Sequence, residues 1–162
     1  MDFEYGIIGG GPAGYTAGIN LAKQGHSVVL FEKNKLGGTC MNSGCIPTKS
    51  FLHSAEIFSN LQKAEEYGIK ADFTDFNFAL VAEKKDKTVE KIRKALELTV
   101  KNAGVKTIYA EACIKDKNTV IAENTEYKVQ HIIAACGSKP KELKGLEFDG
   151  EFILSSDDVL NL

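Results

Sequence analysis

Short apolar runs and one helical pattern alternate at the start of the chain. Residues 3–9 form an apolar run that ends in glycines, and residues 27–32 form a second run that ends in an acid. Runs of this length predict buried strands. Between them, residues 12–24 carry small and apolar side chains at helical spacing, with Pro12 at the start and Gly25 after the end. This pattern predicts a helix, and hence a strand–helix–strand unit.

Two longer helices are predicted in the middle of the chain. Residues 46–67 have apolar side chains on one side and end before Gly68, and residues 75–103 repeat apolar positions every three to four residues and end before Gly104. The apolar side of the first helix is predicted to hold Phe51, Leu52, Ala55 and Phe58. Basic residues alternate with acids on the second helix, and a solvated face is predicted for Lys84, Lys85 and Lys87.

The remaining third has the pattern of strands. Residues 106–112 predict one strand, and residues 113–135 predict a small antiparallel meander broken by turn-type sequences at 116–118 and 123–125. Residues 131–135 predict a strand that returns to the parallel sheet. The predicted fold class is therefore α/β: a Rossmann-like domain with a central parallel sheet, helices and a small antiparallel β-meander.

Composition sets the limits on the class of protein. The chain has 162 residues, of which 43% are hydrophobic and 26% charged, as expected for one globular domain. A net charge of −2 argues against nucleic acid as the main partner. No apolar run has the length of a membrane span, and the N-terminus lacks the pattern of a signal peptide. We therefore expect a cytoplasmic protein without a membrane partner.

The first strand–helix junction carries a glycine-rich motif. Gly9, Gly11 and Gly14 fit the G-x-G-x-x-G pattern, with Pro12 and Ala13 inside it. The pattern follows a strand, opens a helix and precedes a strand that ends in Glu32, which is the context of a dinucleotide site. Gly9 permits the turn, Gly11 admits a pyrophosphate and Gly14 permits close packing. A carboxylate at Glu32 suits ribose hydroxyls and repels a 2′-phosphate, so FAD or NAD is favoured over NADP. The alternative is a glycine-rich turn without a ligand.

Two of the four cysteines lie close together. The spacing of Cys40 and Cys45 is not the C-x-x-C of zinc or thioredoxin-like sites, and a zinc site would need two further ligands. A structural disulfide would close a small loop in a reducing compartment. A helix from near Gly44 would instead stabilise a Cys45 thiolate, and a thiol one turn away could form a reducible disulfide with it. Such a pair can accept two electrons from a reduced flavin and pass them to another disulfide.

The other candidate groups are predicted to be structural. Cys113 and Cys136 are expected to be small buried core residues. His26, His53 and His131 have no carboxylate or cysteine partner at a recognisable spacing, and no metal site is predicted.

The segment Gly-Gly-Thr-Cys-Met-Asn-Ser-Gly-Cys-Ile-Pro-Thr-Lys at residues 37–49 resembles the active-site signature of the pyridine nucleotide–disulfide oxidoreductases. That family includes dihydrolipoamide dehydrogenase, glutathione reductase and mercuric reductase. Residues 46–54 are most similar to bacterial dihydrolipoamide dehydrogenases, and Thr48 mildly favours lipoamide over glutathione. Residues 132–140 resemble the family's Ala-Thr-Gly-Ser-x-Pro motif, with Cys136 in place of threonine. The resemblance extends over essentially the whole chain.

The resemblance implies roles for individual residues. Cys40 would be the interchange thiol that reacts with the substrate, Cys45 the charge-transfer thiol beside the flavin ring, and Lys49 a neighbour of the flavin's reactive nitrogen. Further contacts with FAD are implied for Glu32, Lys33, Gly38, Thr39, Ala112, Ala135 and Gly137.

The resemblance also implies what lies outside this sequence. Residues 1–145 correspond to the FAD-binding domain, and residues 146–162 to a linker toward an NAD-binding domain. The family's second glycine-rich loop, its later Gly-Asp motif and its His–Glu pair do not occur here, so a fragment with weakened FAD binding is expected. A full-length enzyme would use NAD, accept a lipoyl-bearing or small disulfide substrate, and form a homodimer. A non-redox nucleotide-binding module, or a glutathione or mercuric reductase fragment, is the alternative.

Overall fold

Strands and helices alternate through most of the chain in a computed structural model, which describes residues 2–70 and 75–162. The elements in chain order are β1 (Phe3–Ile8), α1 (Pro12–Lys23), β2 (Val28–Phe31), α2 (Gly38–Asn42), α3 (Cys45–Gln62), a 3₁₀ helix (Ala64–Tyr67), α4 (Phe78–Asn102), β3 (Lys106–Ile108), β4 (Ala112–Asp116), β5 (Thr119–Ala122), β6 (Thr125–Ala134) and α5 (Ser156–Val159).

The strands form one six-stranded sheet in the order β3-β2-β1-β6-β5-β4. Strands β3, β2, β1 and β6 are parallel, whereas β6, β5 and β4 are antiparallel. Strand β1 lies between β2 and β6, with Tyr5 opposite Val28 on one side and His131 on the other. The predicted α/β class is confirmed, and the mixed sheet is consistent with a Rossmann-like FAD-binding domain.

Strand β6 belongs to both parts of the sheet. Its first half, from Thr125 to Lys128, pairs with β5, and its second half, from Val129, pairs with β1. The last meander strand and the returning strand are therefore one continuous element. The predicted strand at 106–112 is in fact broken, because β3 ends at Ile108 and the Ala110 N–H turns back to donate to the Ile108 carbonyl at 3.1 Å.

Buried apolar side chains form a core on each face of the sheet. Strand β2 supplies both, because alternate residues of a strand point to opposite faces. Val28 and Leu30 pack in one cluster with Val100 of α4, whereas Val29 and Phe31 pack in the other. The parallel strands thus contribute apolar side chains to a core on each face, and in folds of this kind ligands bind at the carboxyl ends of the strands.

Helix α3 packs on α4 through aromatic pairs. Phe51 stacks on Phe78 of α4, and Phe58 meets Phe76, two residues before α4 begins, each pair with ring centroids 5.7 Å apart. Leu52 and Ala55, which were predicted on the same apolar side of the helix, are both exposed, Leu52 by 62%. They lie to the side of the line of contact that Phe51 and Phe58 make with α4.

The prediction of a solvated face was wrong for Lys85. Its side chain is only 5% exposed, and its Nζ donates to the Leu160 carbonyl and pairs with Asp86, both at 2.8 Å. The ammonium group also lies 5.4 Å from the centroid of the Phe51 ring. Lys85 is buried because the C-terminal segment folds back over α4, a long-range contact that the local charge pattern does not reveal.

Candidate functional site

The candidate site lies where the parallel strands end. Strand β1 leads into the glycine loop, residues 9–14, while β2 leads into Glu32 and β6 into Ala135. Because parallel strands place their carboxyl ends at one edge of a sheet, these segments are neighbours there. The predicted nucleotide residues are thus brought to one edge.

Two glycines in the loop have no room for a side chain. A Cβ on Gly9, whose φ is +108°, would lie 2.2 Å from the Ala135 carbonyl oxygen. A Cβ on Gly14 would lie 1.8 Å from the carbonyl oxygen of Gly9. The turn at Gly9 and the close packing at Gly14 are both seen here, and Gly18 is likewise buried, with its Cβ position 3.4 Å from Ile7.

Glu32 is buried beneath the glycine loop. The Gly10 N–H donates to its Oε2 at 2.7 Å, and the Asn34 N–H donates to its Oε1 at 2.8 Å. A Cβ on Gly10 would approach Glu32 Oε2 to 2.9 Å and Leu36 to 2.5 Å. Gly10, a variable position of the motif, is therefore needed to admit Glu32. The run of three glycines was the signal for it, and the sequence reasoning did not use that signal.

Gly11 differs from its neighbours because the chain leaves it space. Its φ is −73°, and a Cβ there would meet only the Cα of Gly38, at 3.7 Å. Pro12 and Ala13 follow as exposed residues in the first turn of α1, whose N–H groups have no acceptor inside the helix. The open face at Gly11 is thus a surface that a phosphate could approach.

The two close cysteines form a disulfide between consecutive helices. Cys40 lies in α2 and Cys45 is the first residue of α3, with their Cα atoms 4.6 Å apart. Gly44 caps α3, and a Cβ there would lie 2.8 Å from the Thr39 carbonyl oxygen. The predicted placement of Cys45 in the first turn of a helix is confirmed. Helix α2 itself was missed, since glycines dominate the sequence before it.

The redox turn, residues 36–45, contacts the glycine loop directly. Gly37 N–H donates to the Gly10 carbonyl at 2.9 Å, and a Cβ on Gly38 would lie 2.7 Å from the Cα of Gly11. Thr39 is exposed beside this contact, Cys45 is exposed and Cys40 is half-buried. The disulfide and the glycine loop thus share one surface.

The remaining predicted residues lie around this surface. Lys49 is exposed on α3, one helical turn beyond Cys45. The Lys33 Nζ lies 3.9 Å from Oε1 of Glu111, the residue that precedes Ala112. Ala135 N–H donates to the Ile8 carbonyl at 2.8 Å, which holds β6 against the start of the glycine loop. Gly137 follows with φ +71°.

Tyr109, which the sequence reasoning did not single out, lies between Ile108 and Ala110 and is half exposed. Burial raises the pKa of its hydroxyl, and the negative charge of Glu97 raises it further. The phenol is therefore neutral and can donate a hydrogen bond beside the end of β3.

The prediction that Cys113 and Cys136 are buried was wrong, since both are exposed thiols. Cys113 lies on the edge strand β4, which has few covered residues, and Cys136 follows the end of β6, with its Sγ 3.8 Å from the Ile8 carbonyl.

The histidines lie outside this surface, and two of them have carboxylate partners. His26 Nδ1 lies 3.1 Å from Glu4, and His53 Nδ1 lies 3.8 Å from Glu56. His131 packs on the Tyr5 ring, with centroids 5.1 Å apart.

Over residues 2–70 and 75–162, no cluster of His, Cys, Asp and Glu could hold a metal ion. None of the helices in the described part of the chain is long and apolar enough to cross a membrane.

Comparison with known families identifies the chain. The family model described as "Pyridine nucleotide-disulphide oxidoreductase" matches residues 3–162. The chain belongs to this family. Curated relatives include the dihydrolipoyl dehydrogenase of Bacillus subtilis (strain 168), 36% identical over 162 residues that make up 96% of this chain and 35% of the relative. The dihydrolipoyl dehydrogenase of Geobacillus stearothermophilus is 38% identical over 166 residues, 100% of this chain and 35% of the relative.

A third relative, dihydrolipoyl dehydrogenase 2 of Haloarcula marismortui, is 39% identical over 163 residues, covering 96% of this chain and 34% of the relative. The chain thus spans about a third of the length of the curated relatives it matches. The resemblance inferred from residues 37–49 is confirmed at the level of the family.

Proposed function

We propose that this chain is the FAD-binding, disulfide-bearing part of an enzyme of the dihydrolipoamide dehydrogenase type. In a full-length subunit, electrons would pass from a dithiol substrate to the Cys40–Cys45 pair and then through FAD to NAD. Residues 1–145 would form the FAD-binding unit, and residues 146–162 would lead toward the NAD-binding domain. The cytoplasmic location and the homodimer of the full-length enzyme stay predictions.

One observation carries the proposal: the disulfide turn and the dinucleotide loop are in backbone contact. The Gly37 N–H bonds to the Gly10 carbonyl at 2.9 Å, and Gly38 lies against Gly11 too closely for a side chain. This contact places the disulfide turn beside the loop that would hold the pyrophosphate of the cofactor. It therefore supports a site in which a bound flavin reaches the Cys40–Cys45 pair.

The residues present fit FAD at its adenosine and pyrophosphate end. Gly11 has space on its outer side, and the N-terminus of α1 supplies free N–H groups and a partial positive charge for phosphates. Glu32 is an acceptor whose two oxygens already take backbone N–H bonds, which fixes its position for ribose hydroxyls. Lys33, Ala112, Ala135 and Gly137 are the further proposed contacts.

The residues beside the disulfide fit the flavin end. Cys45 is exposed in the protein alone. Its sulfur is therefore accessible to a flavin ring that would cover it. Gly38, Thr39 and Lys49 would contact the cofactor on the same side. When bound, FAD supplies a carrier that accepts two electrons and passes them on.

Thiol–disulfide exchange between a dithiol substrate and the Cys40–Cys45 disulfide needs no further reactant. A substrate thiolate attacks the Cys40 sulfur, and the Cys40–Cys45 bond breaks to release Cys45 as a thiolate. The second substrate thiol then attacks the substrate sulfur of the mixed disulfide, which releases Cys40. The substrate leaves as a disulfide with two electrons fewer, and the two electrons remain on the Cys40–Cys45 dithiol. The N-terminus of α3 stabilises the Cys45 thiolate.

Alkylation tests the redox role of the pair. After mild oxidation, a thiol reagent should modify only the two free cysteines, Cys113 and Cys136, and after reduction it should modify all four. Cys40→Ser and Cys45→Ser should each abolish the difference at the remaining partner, whereas Cys113→Ser should leave it intact. Modification of all four thiols in the oxidised sample would refute the redox proposal.

The substrate is tested by comparing dithiols and disulfides on the full-length enzyme. Oxidation of dihydrolipoamide with NAD supports the proposal. Reduction of glutathione disulfide or mercuric ion without lipoamide activity supports the alternative members of the family. If the alkylation result fails as well, only a non-redox nucleotide-binding module remains.

A further inference from the structure

Asn42 ends α2 and turns its side chain back over the start of the redox turn. Its Nδ2 lies 3.0 Å from the Gly38 carbonyl oxygen, 3.1 Å from that of Leu36 and 3.4 Å from that of Lys35. An amide nitrogen has two N–H groups, so it can satisfy the two nearer carbonyls and share a weaker contact with the third. One side chain therefore ties the end of α2 to three carbonyls of the segment 35–38.

The orientation of this amide is fixed by its surroundings. If the amide were flipped, its oxygen would face three carbonyl oxygens, and none of these acceptors would receive a hydrogen bond from it. In the observed orientation Oδ1 is buried and has no hydrogen-bond partner among the described residues. A buried unpaired acceptor is unfavourable, and an apolar side chain would avoid it. The hydrogen bonds that Asn42 makes are therefore those of its NH₂ group.

The backbone that Asn42 holds is the part of the redox turn with the least regular geometry. Gly37, which precedes α2, and Gly38, the first residue of α2, have φ values of +105° and +57°, so two consecutive residues at the start of the helix that carries Cys40 have positive φ. Such a backbone has no repeating hydrogen bonds of its own, and glycines leave it flexible. Asn42 joins both ends of this segment to the end of α2.

We infer that Asn42 is a positioning residue for the Cys40–Cys45 pair, which keeps the two sulfurs close when the disulfide is reduced. In the oxidised protein the sulfur–sulfur bond itself joins α2 to α3. In the dithiol form that bond is gone, and the Asn42 hydrogen bonds keep α2 in place. The inference rests on the proposed redox role of the pair, and it adds a group that sets the potential of the pair without touching either sulfur.

Loss of the Asn42 amide is expected to favour the reduced form of the Cys40–Cys45 pair. Without the NH₂ group the reduced turn can open and gains conformational freedom, whereas the disulfide limits that gain in the oxidised form. The reduced form is thus favoured, and the equilibrium constant for forming the disulfide falls. We expect a fall of about tenfold, which corresponds to a potential higher by about 30 mV for a two-electron couple.

The test is the equilibrium of the chain with glutathione buffers, read as the alkylated fraction of Cys40 and Cys45 by mass spectrometry. Asn42→Ala should weaken disulfide formation about tenfold and Asn42→Ser less, since a hydroxyl keeps one donor. The matched control is Asn60→Ala, an exposed residue of α3 that has no place in the redox turn.

The possible results distinguish failure of the inference about Asn42 from failure of the redox proposal. An Asn42→Ala equilibrium within twofold of the parent, or a fall of the same size in Asn60→Ala, overturns the inference and leaves the redox proposal intact. A parent that forms no disulfide counts against both. Should Asn42→Ala fail to fold by circular dichroism, Asn42→Ser decides by the same twofold limit.

Discussion

The site and the C-terminal segment are held together in opposite ways. At the site, residues 9–14 and 36–45 meet backbone against backbone, and Gly9, Gly14 and Gly38 have no room for a Cβ, whereas Gly11 does. The C-terminal segment, residues 138–162, is mostly exposed and is held by polar side chains that bond to nearby backbone. Asp149 accepts three backbone N–H groups, and Ser155 and Asp158 cap α5 reciprocally.

This difference determines which residues can be replaced. At Gly9, Gly14 and Gly38 residue identity is set by volume, because an added methyl group would displace backbone. In the C-terminal segment, residue identity is set by individual hydrogen bonds that compete with water. Loss of one such bond has little effect on the rest of the structure. Lys85 combines both features, because its side chain is buried beneath the C-terminal segment and donates a hydrogen bond to the Leu160 carbonyl of that segment. Substitutions should therefore fall into three levels of effect.

The largest effect is expected for Gly14→Ala. The added Cβ would lie 1.8 Å from the Gly9 carbonyl, so either the loop or α1 must move. We expect a loss of about 4 kcal/mol or more in the free energy of unfolding, the size that marks a severe steric defect. Urea denaturation followed by circular dichroism measures it. Gly11→Ala is the control and should fold like the parent, since its Cβ has 3.7 Å of clearance. A Gly14→Ala variant within 1 kcal/mol of the parent would contradict the close packing.

An intermediate effect is expected for Lys85→Ala. The change removes a charged donor from the Leu160 carbonyl and a buried stem from the α3–α4 contact. We expect a loss of about 2 kcal/mol, typical of a hydrogen bond to a charged group, together with faster proteolysis of residues 138–162. The matched controls Lys84→Ala and Lys87→Ala change exposed residues and should stay within about 0.5 kcal/mol of the parent. Equal losses in all three variants would show that the segment does not dock on Lys85.

The smallest effect is the acid sensitivity of the turn at Asp149. Backbone N–H bonds from Glu151, Ile153 and Phe152 lower the pKa of its carboxyl below the ordinary value of 3.8. Because the folded pKa is depressed, the stabilisation is fully present above the unfolded value and is lost as the pH falls through the folded one. The amide resonances of residues 151–153 should therefore keep their positions at pH 5 and shift only below about pH 3.8. Asp149→Asn should remove this transition, and a transition that persists in the variant would assign it to another group.

The sequence predicted the site better than the rest of the fold, for physical reasons. Gly9, Gly14 and Cys45 could be placed because their roles depend on local turns and helix ends, which short motifs encode. Lys85 could not, since its burial depends on a segment 75 residues away. Cys113 and Cys136 were misplaced because apolar runs do not tell a central strand from an edge strand or a strand end. Glu32 was predicted as a site residue, but its hydrogen bond with Gly10 was not, since that contact joins two separate loops.

The most direct measurement of the central claim is a titration of FAD with the parent chain and with Gly11→Ala, followed by equilibrium dialysis and absorbance at 450 nm. Gly11→Ala should fold like the parent but bind FAD at least tenfold more weakly, because the added methyl group occupies the space for the pyrophosphate. Asn20→Ala, an exposed change on the same helix, should bind like the parent. A Gly11→Ala variant that binds FAD as well as the parent does would contradict the assignment of this loop and its adjoining disulfide as a flavin site.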